Sequence, residues 1–366
     1  MEKVFASPSR YVQGKGVLKT GISHIEKLGN KPLLLCDDVV WKIVGQEFTE
    51  DLKKAGFVVT HVPFNGEASI KEINRVSEIG KENTCDVVLG LGGGKTIDAA
   101  KAISDQLGIP VGVLPTIAST DAPTSALSVI YTEEGVFEKY LFYKKNPELV
   151  LVDTKVISKA PVRLLASGIA DALATWVEGR AVMQKNGDTM AGGKPTLAAI
   201  AIAEKCEQTL FEYGFQAMEA NRAQVVTEAL EAVVEANTLL SGIGFESCGL
   251  AAAHAIHNGF TALHGPIHKL THGEKVAYGT LTQLFLENKP KNVLDKYISF
   301  YQALDLPTTL KELNLENVSY EELLEVGKQA TVEGETIHQM PFRITAEDVT
   351  DALFAVDSYV KSKKKM

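Results

Sequence analysis

Val87-Val88-Leu89-Gly90-Leu91-Gly92-Gly93-Gly94-Lys95-Thr96 decides the fold. An apolar run enters a glycine cluster, and a helical pattern from Thr96 to Gln106 follows it. Strand, glycine turn and helix start make a place where the backbone approaches a ligand closely. The helix N-terminus there offers unpaired N–H groups and a partial positive charge to a phosphate. The P-loop pattern fails because it needs glycine at position 89, which is leucine. The dinucleotide pattern G-x-G-x-x-G fits Gly90 and Gly92 but fails at Lys95. The cluster therefore reads either as a diphosphate site or as a tight structural turn.

Around this stretch, short apolar runs alternate with amphipathic ones. Pro32 to Cys36, Gly56 to Val62, Asp86 to Gly90, Val111 to Leu114 and Leu149 to Val152 read as strands. Helical patterns pass through Phe48, Leu52 and Ala55 and run from Ile70 to Lys81. Ser128 to Tyr131 and Phe137 to Phe142 read as a hairpin about Glu133-Glu134-Gly135. Strands alternating with helices predict parallel βαβ units. From about Val162 the period is close to 3.6, with long helical segments at Pro195–Tyr213, Glu219–Leu240 and Leu250–Leu263. Gln184 to Asp188, followed by Gly192-Gly193, reads as a polar loop between helices. The expected fold class is an α/β Rossmann-like dinucleotide-binding domain over residues 1–160, followed by an all-α metal-binding domain over 161–366.

Composition bounds the function. The net charge of −9 disfavours nucleic acid, whose phosphates attract a basic face. A lysine run at Lys361, Lys363, Lys364 and Lys365 reads as a solvated helix end or tail. No apolar run reaches the roughly 18 residues that a membrane span requires, and the N-terminus has no apolar signal-peptide core. Cys36, Cys85, Cys206 and Cys248 are scattered and read as free thiols of a reducing compartment. The expected location is the cytoplasm.

Two loops and a histidine cluster carry the candidate chemistry. Asp37 follows the first apolar strand, where a carboxylate either accepts bonds from a ribose and repels a 2′-phosphate or simply caps a turn. In Pro115-Thr-Ile-Ala-Ser-Thr-Asp-Ala-Pro123, the hydroxyls suit a cofactor and Asp121 a substrate hydroxyl; they equally suit capping. Of eight histidines, five fall between His254 and His272. His254 and His257 are i and i+3 on one helix face, and a loop containing Gly265-Pro266 lets His272 fold back. Imidazoles suit zinc or iron(II). Glu274 is one carboxylate candidate, and the spacing leaves others open. His264 and His268 read as ordinary surface or core histidines.

Gly90-Leu-Gly-Gly-Gly-Lys-Thr-Ile-Asp-Ala-Ala-Lys101, the loop 115–123, Gly168-Ile-Ala-Asp-Ala-Leu173, His254-Ala-Ile-His-Asn-Gly259, His272-Gly-Glu-Lys-Val276 and Glu333-Gly-Glu-Thr-Ile-His338 together resemble the glycerol dehydrogenases. These belong to the iron-containing alcohol dehydrogenase superfamily, which shares its architecture with dehydroquinate synthase. The resemblance spans nearly the whole chain. It implies a zinc site, with iron(II) as the alternative, built from Asp171, His254 and His272. It implies NAD contacts at Asp37, Gly93, Gly94, Lys95, Thr116, Ser119, Ser125, Leu127 and Tyr131. It gives Asp121 a glycerol-contacting role, and His257 is a candidate for proton release. Iron-dependent relatives carry a fourth ligand, a histidine one turn after the aspartate; here that residue is Thr175, which favours an open site and a vicinal diol. The implied reaction is NAD-dependent oxidation of glycerol to dihydroxyacetone and its reverse. Its alternatives are a related dehydrogenase for another diol, an aldehyde or glycerol 1-phosphate, a dehydroquinate synthase-type lyase, and a non-catalytic nucleotide-binding protein. A homo-oligomer, up to an octamer, is implied as well.

Overall fold

The computed structural model describes residues 2–363. The sheet holds six parallel strands: β1 Tyr11–Gly14, β2 Pro32–Cys36, β3 Thr60–Pro63, β4 Val87–Gly92, β5 Val111–Pro115 and, numbered after the hairpin, β8 Leu149–Asp153. Their order is β1-β8-β5-β4-β2-β3. β2, β4, β5 and β8 are buried at every position, as strands covered on both faces must be. β6 Leu127–Tyr131 and β7 Phe137–Phe142 pair antiparallel in a separate two-stranded sheet. The turn of the sheet most relevant to function lies after β4, where the chain enters the helix Gly94–Leu107. β4 and β5 are neighbours in register, Gly92 opposite Pro115, so the loops leaving both strands emerge side by side.

The helical region contains the long helices Val162–Lys185 and Leu197–Arg222, the shorter Ala252–Gly259, and His272–Leu286, Lys291–Ala303, Tyr320–Ala330 and Ala346–Lys363. No single helix among the described residues is long and apolar enough to cross a membrane. Cys36, Cys206 and Cys248 are buried and Cys85 is half-buried. Lys361 and Lys363 end the last helix, Lys361 paired with Asp357 and Lys363 with Asp295. Lys364 and Lys365 lie outside the described residues.

Two expectations need correction. The segment Glu219–Leu240 is not one helix. Leu197–Arg222 ends with Gln224 at φ 56°, and Thr227 opens Glu228–Glu235 by accepting Leu230 N–H. A π-helical turn, Ala236–Leu240, then leads into Ser241–Cys248. The division of the chain is also not a single cut at 160. One compact unit is residues 6–161 plus 219–242; the other is 162–218 and 243 onward with the segment up to Phe5. The cause is polar pairing at long sequence separation. Asn221 Nδ2 donates to the carbonyls of Ile157, Ser158 and Ala160. Gln13 donates to Glu231, Thr154 does the same, and the Tyr11 hydroxyl meets that of Thr238. At the N-terminus, Lys3 bridges Lys194 in β fashion.

Candidate active site

The metal-ligand candidates rise from three helices of the second unit. Asp171 lies in the middle of Val162–Lys185 and is fully buried. His254 is in the first turn of Ala252–Gly259, and His272 is the first residue of His272–Leu286. Thr271 caps that last helix in a capping box with Glu274, which also pairs with Arg163. A Cβ at Gly273 would lie 1.8 Å from the Ser167 carbonyl, so only glycine lets the helix start so close to the Asp171 helix. Asp171 Oδ1 lies 3.2 Å from His254 Nε2 and 3.0 Å from His272 Nε2. One atom from each of the three residues lies within 4.8 Å of the others. Burial alone would push the Asp171 carboxyl up, but the two imidazoles outweigh it and hold the group well below the usual carboxylate range. Glu274, the carboxylate near His272 in sequence, is spent on the cap and Arg163.

The sequence reading missed Glu178. It sits two helical turns after Asp171, fully buried. Its Oε2 is 2.6 Å from His254 Nδ1, and its Oε1 accepts the N–H groups of Ala251 and His254. Gln283 Oε1 accepts those of Ala252 and Ala253, while its Nε2 donates to the Val177 carbonyl. Two side chains from two other helices thus satisfy the start of the helix carrying His254, whose own cap position is alanine. The ring is fixed with Nδ1 toward Glu178 and Nε2 toward Asp171. Burial disfavours the charged imidazole, but Glu178 and Asp171 outweigh that and raise the His254 pKa well above its ordinary value. The detectable signal was a second acidic residue seven positions after Asp171, the only other charged residue between Leu164 and Gly179, which needs a partner if it is buried.

His257 packs its ring 4.2 Å from that of His272. Its Nδ1 meets Asn258 Oδ1 at 3.2 Å, and Asn258 Nδ2 donates to Glu335. Burial, then the charges of His272, Lys275 and His254, pushes the His257 pKa well down. Because Asn258 Oδ1 is an acceptor, its contact suits the tautomer with the proton on Nδ1 and Nε2 as the acceptor. Glu335 belongs to the segment Glu333–His338, whose Thr336 hydroxyl donates to the Ala251 carbonyl. Thr175 is fully buried one turn beyond Asp171. His264 and His268 stand outside the cluster, His268 Nε2 meeting the Leu263 carbonyl.

In the first unit the glycines divide by function. A Cβ at Gly90 would lie 2.5 Å from that of Ala100, and one at Gly92 would lie 2.7 Å from the Thr96 hydroxyl. These two let the helix Gly94–Leu107 lie against β4. Gly93 and Gly94 are half-exposed and face the loop after β5, near Ile117 and Thr120. Gly93 is the cap position and has no side chain to cap the first N–H groups of that helix. Lys95 is exposed, paired with Glu67 and 5.6 Å from the Tyr131 ring. Thr116 and Ser119 are buried in the adjoining loop, with Thr116 N–H donating to the Gly92 carbonyl. Asp37 Oδ1 accepts the N–H groups of Val39 and Val40, so the capping role is present, at the C-terminal end of β2.

Ser125 and Leu127 are tied to a buried cation. Lys101 Nζ donates to the Ala122 carbonyl at 2.9 Å, approaches the Ser125 hydroxyl at 3.3 Å, and donates to the Leu127 carbonyl. It pairs with buried Asp98 at 3.0 Å, whose Oδ2 accepts Val129 N–H. Asp121 is half-buried, and Ser241 Oγ donates to its Oδ2 at 2.9 Å.

The comparisons with known proteins agree with these motifs. The model of the iron-containing alcohol dehydrogenases matches residues 8–154. A glycerol dehydrogenase of Escherichia coli O6:H1 is 49% identical over 359 residues, covering 98% of each chain. A glycolaldehyde reductase of Halobacterium salinarum is 48% identical, also covering 98% of each chain. The crystal structure of the Schizosaccharomyces pombe glycerol dehydrogenase superposes with a TM-score of 0.96 at 46% identity, covering 100% of this chain and 92% of that one. With its parallel sheet, its helical ligand cluster and these full-length relatives, the chain belongs to the glycerol dehydrogenase family of iron-containing alcohol dehydrogenases.

Proposed function

We propose that this oxidoreductase interconverts glycerol and dihydroxyacetone with NAD, using a divalent metal, zinc in our reading, held by Asp171, His254 and His272. The observation that carries the reading is the convergence of one carboxylate and two imidazole nitrogens on a common point, with Glu178 fixing the ring of His254. That donor set fits zinc or iron(II), and three protein ligands leave positions for a diol. When bound, the metal supplies a Lewis acid for a substrate hydroxyl and NAD supplies the hydride acceptor.

The chain's own residues do the rest. Gly93, Gly94 and the following backbone N–H groups receive the diphosphate of NAD, with Lys95, Thr116, Ser119, Ser125, Leu127 and Tyr131 lining its path. Asp37 reads the ribose and repels a 2′-phosphate. Asp121 accepts a hydrogen bond from a substrate hydroxyl and so orients the diol. His257, neutral and held through Nδ1, takes up the released proton at Nε2. Within the same reading the enzyme is a cytoplasmic homo-oligomer.

A panel of glycerol, 1,2-propanediol, dihydroxyacetone and glycolaldehyde, with NAD and NADP, tests this before and after chelation and zinc return. Metal-dependent, NAD-linked turnover with glycerol highest among the diols is the expected result. Turnover of glycolaldehyde alone, or turnover indifferent to chelation, would overturn it.

A further inference from the structure

Residues 237–242, in and just after the π-helical turn, are the support of the loop after β5. Asn237, Thr238, Ser241 and Thr124 are all almost completely buried. Asn237 Nδ2 donates to the Ala118 carbonyl at 2.9 Å. Thr124 Oγ1 reaches the Thr238 carbonyl at 3.5 Å. Ser241 Oγ donates to Asp121 Oδ2 at 2.9 Å. Gly242 completes the contact: a Cβ there would lie 1.9 Å from Thr124 Oγ1 and 3.0 Å from the Asp121 carbonyl, so backbone meets backbone. A π turn widens the helix locally, and such turns gather at functional sites because they aim side chains that a regular helix would turn elsewhere. Here the wide turn is Ala236–Leu240, and Asn237 and Ser241, on either side of its centre, both point at the one loop.

We propose that Ser241 is a positioning residue for the substrate: it holds the Asp121 carboxylate in the orientation that receives the diol, with Asn237 fixing the loop backbone beneath it. The proposal rests on the reading of Asp121 as the substrate-facing carboxylate. A hydroxyl that occupies Oδ2 fixes the plane of the carboxylate and directs its remaining lone pairs. Loss of that bond leaves the charge in place but frees its rotation. Small misplacements of a binding group raise the cost of reaching productive geometry, and a bond to a charged group is among the stronger ones. The signature is therefore in the diol KM, not in cofactor binding.

The test compares Ser241→Ala, Asp121→Ala and the double variant in the metal-loaded enzyme. It reads KM for glycerol at saturating NAD, KM for NAD, and amide hydrogen exchange of residues 118–121. Ser241→Ala is expected to raise the glycerol KM about tenfold, leave the NAD KM within about twofold, and speed exchange at 118–121. In the Asp121→Ala background it is expected to add nothing to the glycerol KM, because the two residues act as one unit. If Asp121→Ala raises the glycerol KM while Ser241→Ala changes neither KM nor exchange, the support role is wrong and the reading of Asp121 stands. If Ser241→Ala speeds exchange but Asp121→Ala leaves the glycerol KM unchanged, the reading of Asp121 fails, and the substrate role of Ser241 fails with it. An equal rise in KM from Ser241→Ala in both backgrounds also overturns the proposal.

Discussion

Glu178 Oε2 and His254 Nδ1 are 2.6 Å apart, and the other oxygen of the same carboxylate holds the backbone N–H of His254. One buried side chain therefore sets both the ring and the main chain of a proposed metal ligand. Glu178→Gln keeps the shape and removes the charge. It is expected to weaken zinc binding by about 10–100-fold, measured by competition against a chromophoric chelator. Unaltered zinc affinity in that variant would remove Glu178 from the metal site.

His254→Ala removes a ligand of the proposed metal site. Metal analysis after dialysis is expected to show little zinc retained, and added zinc is not expected to restore turnover. Wild-type metal content with wild-type rate would contradict the ligand set.

Asp37 both caps a short helix and, in our reading, faces the ribose. Asp37→Gly separates the two roles, because glycine in place of a capping side chain costs only a few tenths of a kcal/mol. Stability should barely move. The NAD preference over NADP should fall by about tenfold or more, as a like-charge repulsion is lifted. An unchanged ratio of kcat/KM for the two cofactors would leave Asp37 only the cap.

Lys101 and Asp98 form a buried pair beneath Ser125 and Leu127. Burial pushes the Asp98 carboxyl up even with Lys101 beside it, so an unpaired Asp98 would be costly. Lys101→Met should destabilise the protein by about 3–5 kcal/mol in urea unfolding, with a raised NAD KM. Adding Asp98→Asn should recover part of the stability. No recovery would mean that the contacts to the loop carbonyls, not the charge pair, carry the effect.

Acid should act through Glu72. Burial pushes this carboxyl up, but Arg75 and the N–H groups of Asn65 outweigh it and leave it below its ordinary value. A group depressed in the folded state contributes stability above its unfolded pKa, and loses it as pH falls through the folded value. Glu72→Gln should therefore be less stable than the parent at pH 7, with the difference shrinking below about pH 4. A difference that stays constant with pH would show that packing is responsible.

Much of the fold was legible because strand and helix periods differ. Expected and observed limits agree closely for Pro32–Cys36 and for the hairpin, read as 128–131 with 137–142 and found as Leu127–Tyr131 with Phe137–Phe142. β1 escaped because Tyr11-Val-Gln-Gly14 is four residues long, half-buried throughout, and has no clear apolar alternation. The break near Gln224 escaped because Ala-Asn-Arg-Ala-Gln carries no glycine or proline; the left-handed turn there is imposed by tertiary contacts such as those of Asn221. At the site, His254 and His272 stood out by clustering, and the pairing of Asp171 with them came only through resemblance. Glu178 left only the trace of a second acid seven positions after Asp171, while Gln283, Asn237 and Ser241 left none, because their meaning lies in partners 30 or more residues away in sequence.

The return of residues 219–242 to the first unit sets where this chain can be cut and recombined. A fragment ending at Pro161 would keep the whole parallel sheet yet lose Thr238 from Tyr11, Glu231 from Gln13 and Ser241 from Asp121, and leave the carbonyls of Ile157, Ser158 and Ala160 without Asn221. Chimaeras that exchange cofactor preference between relatives should therefore carry two pieces together, 6–161 and 219–242, or the transplanted loop will arrive without the scaffold that aims it.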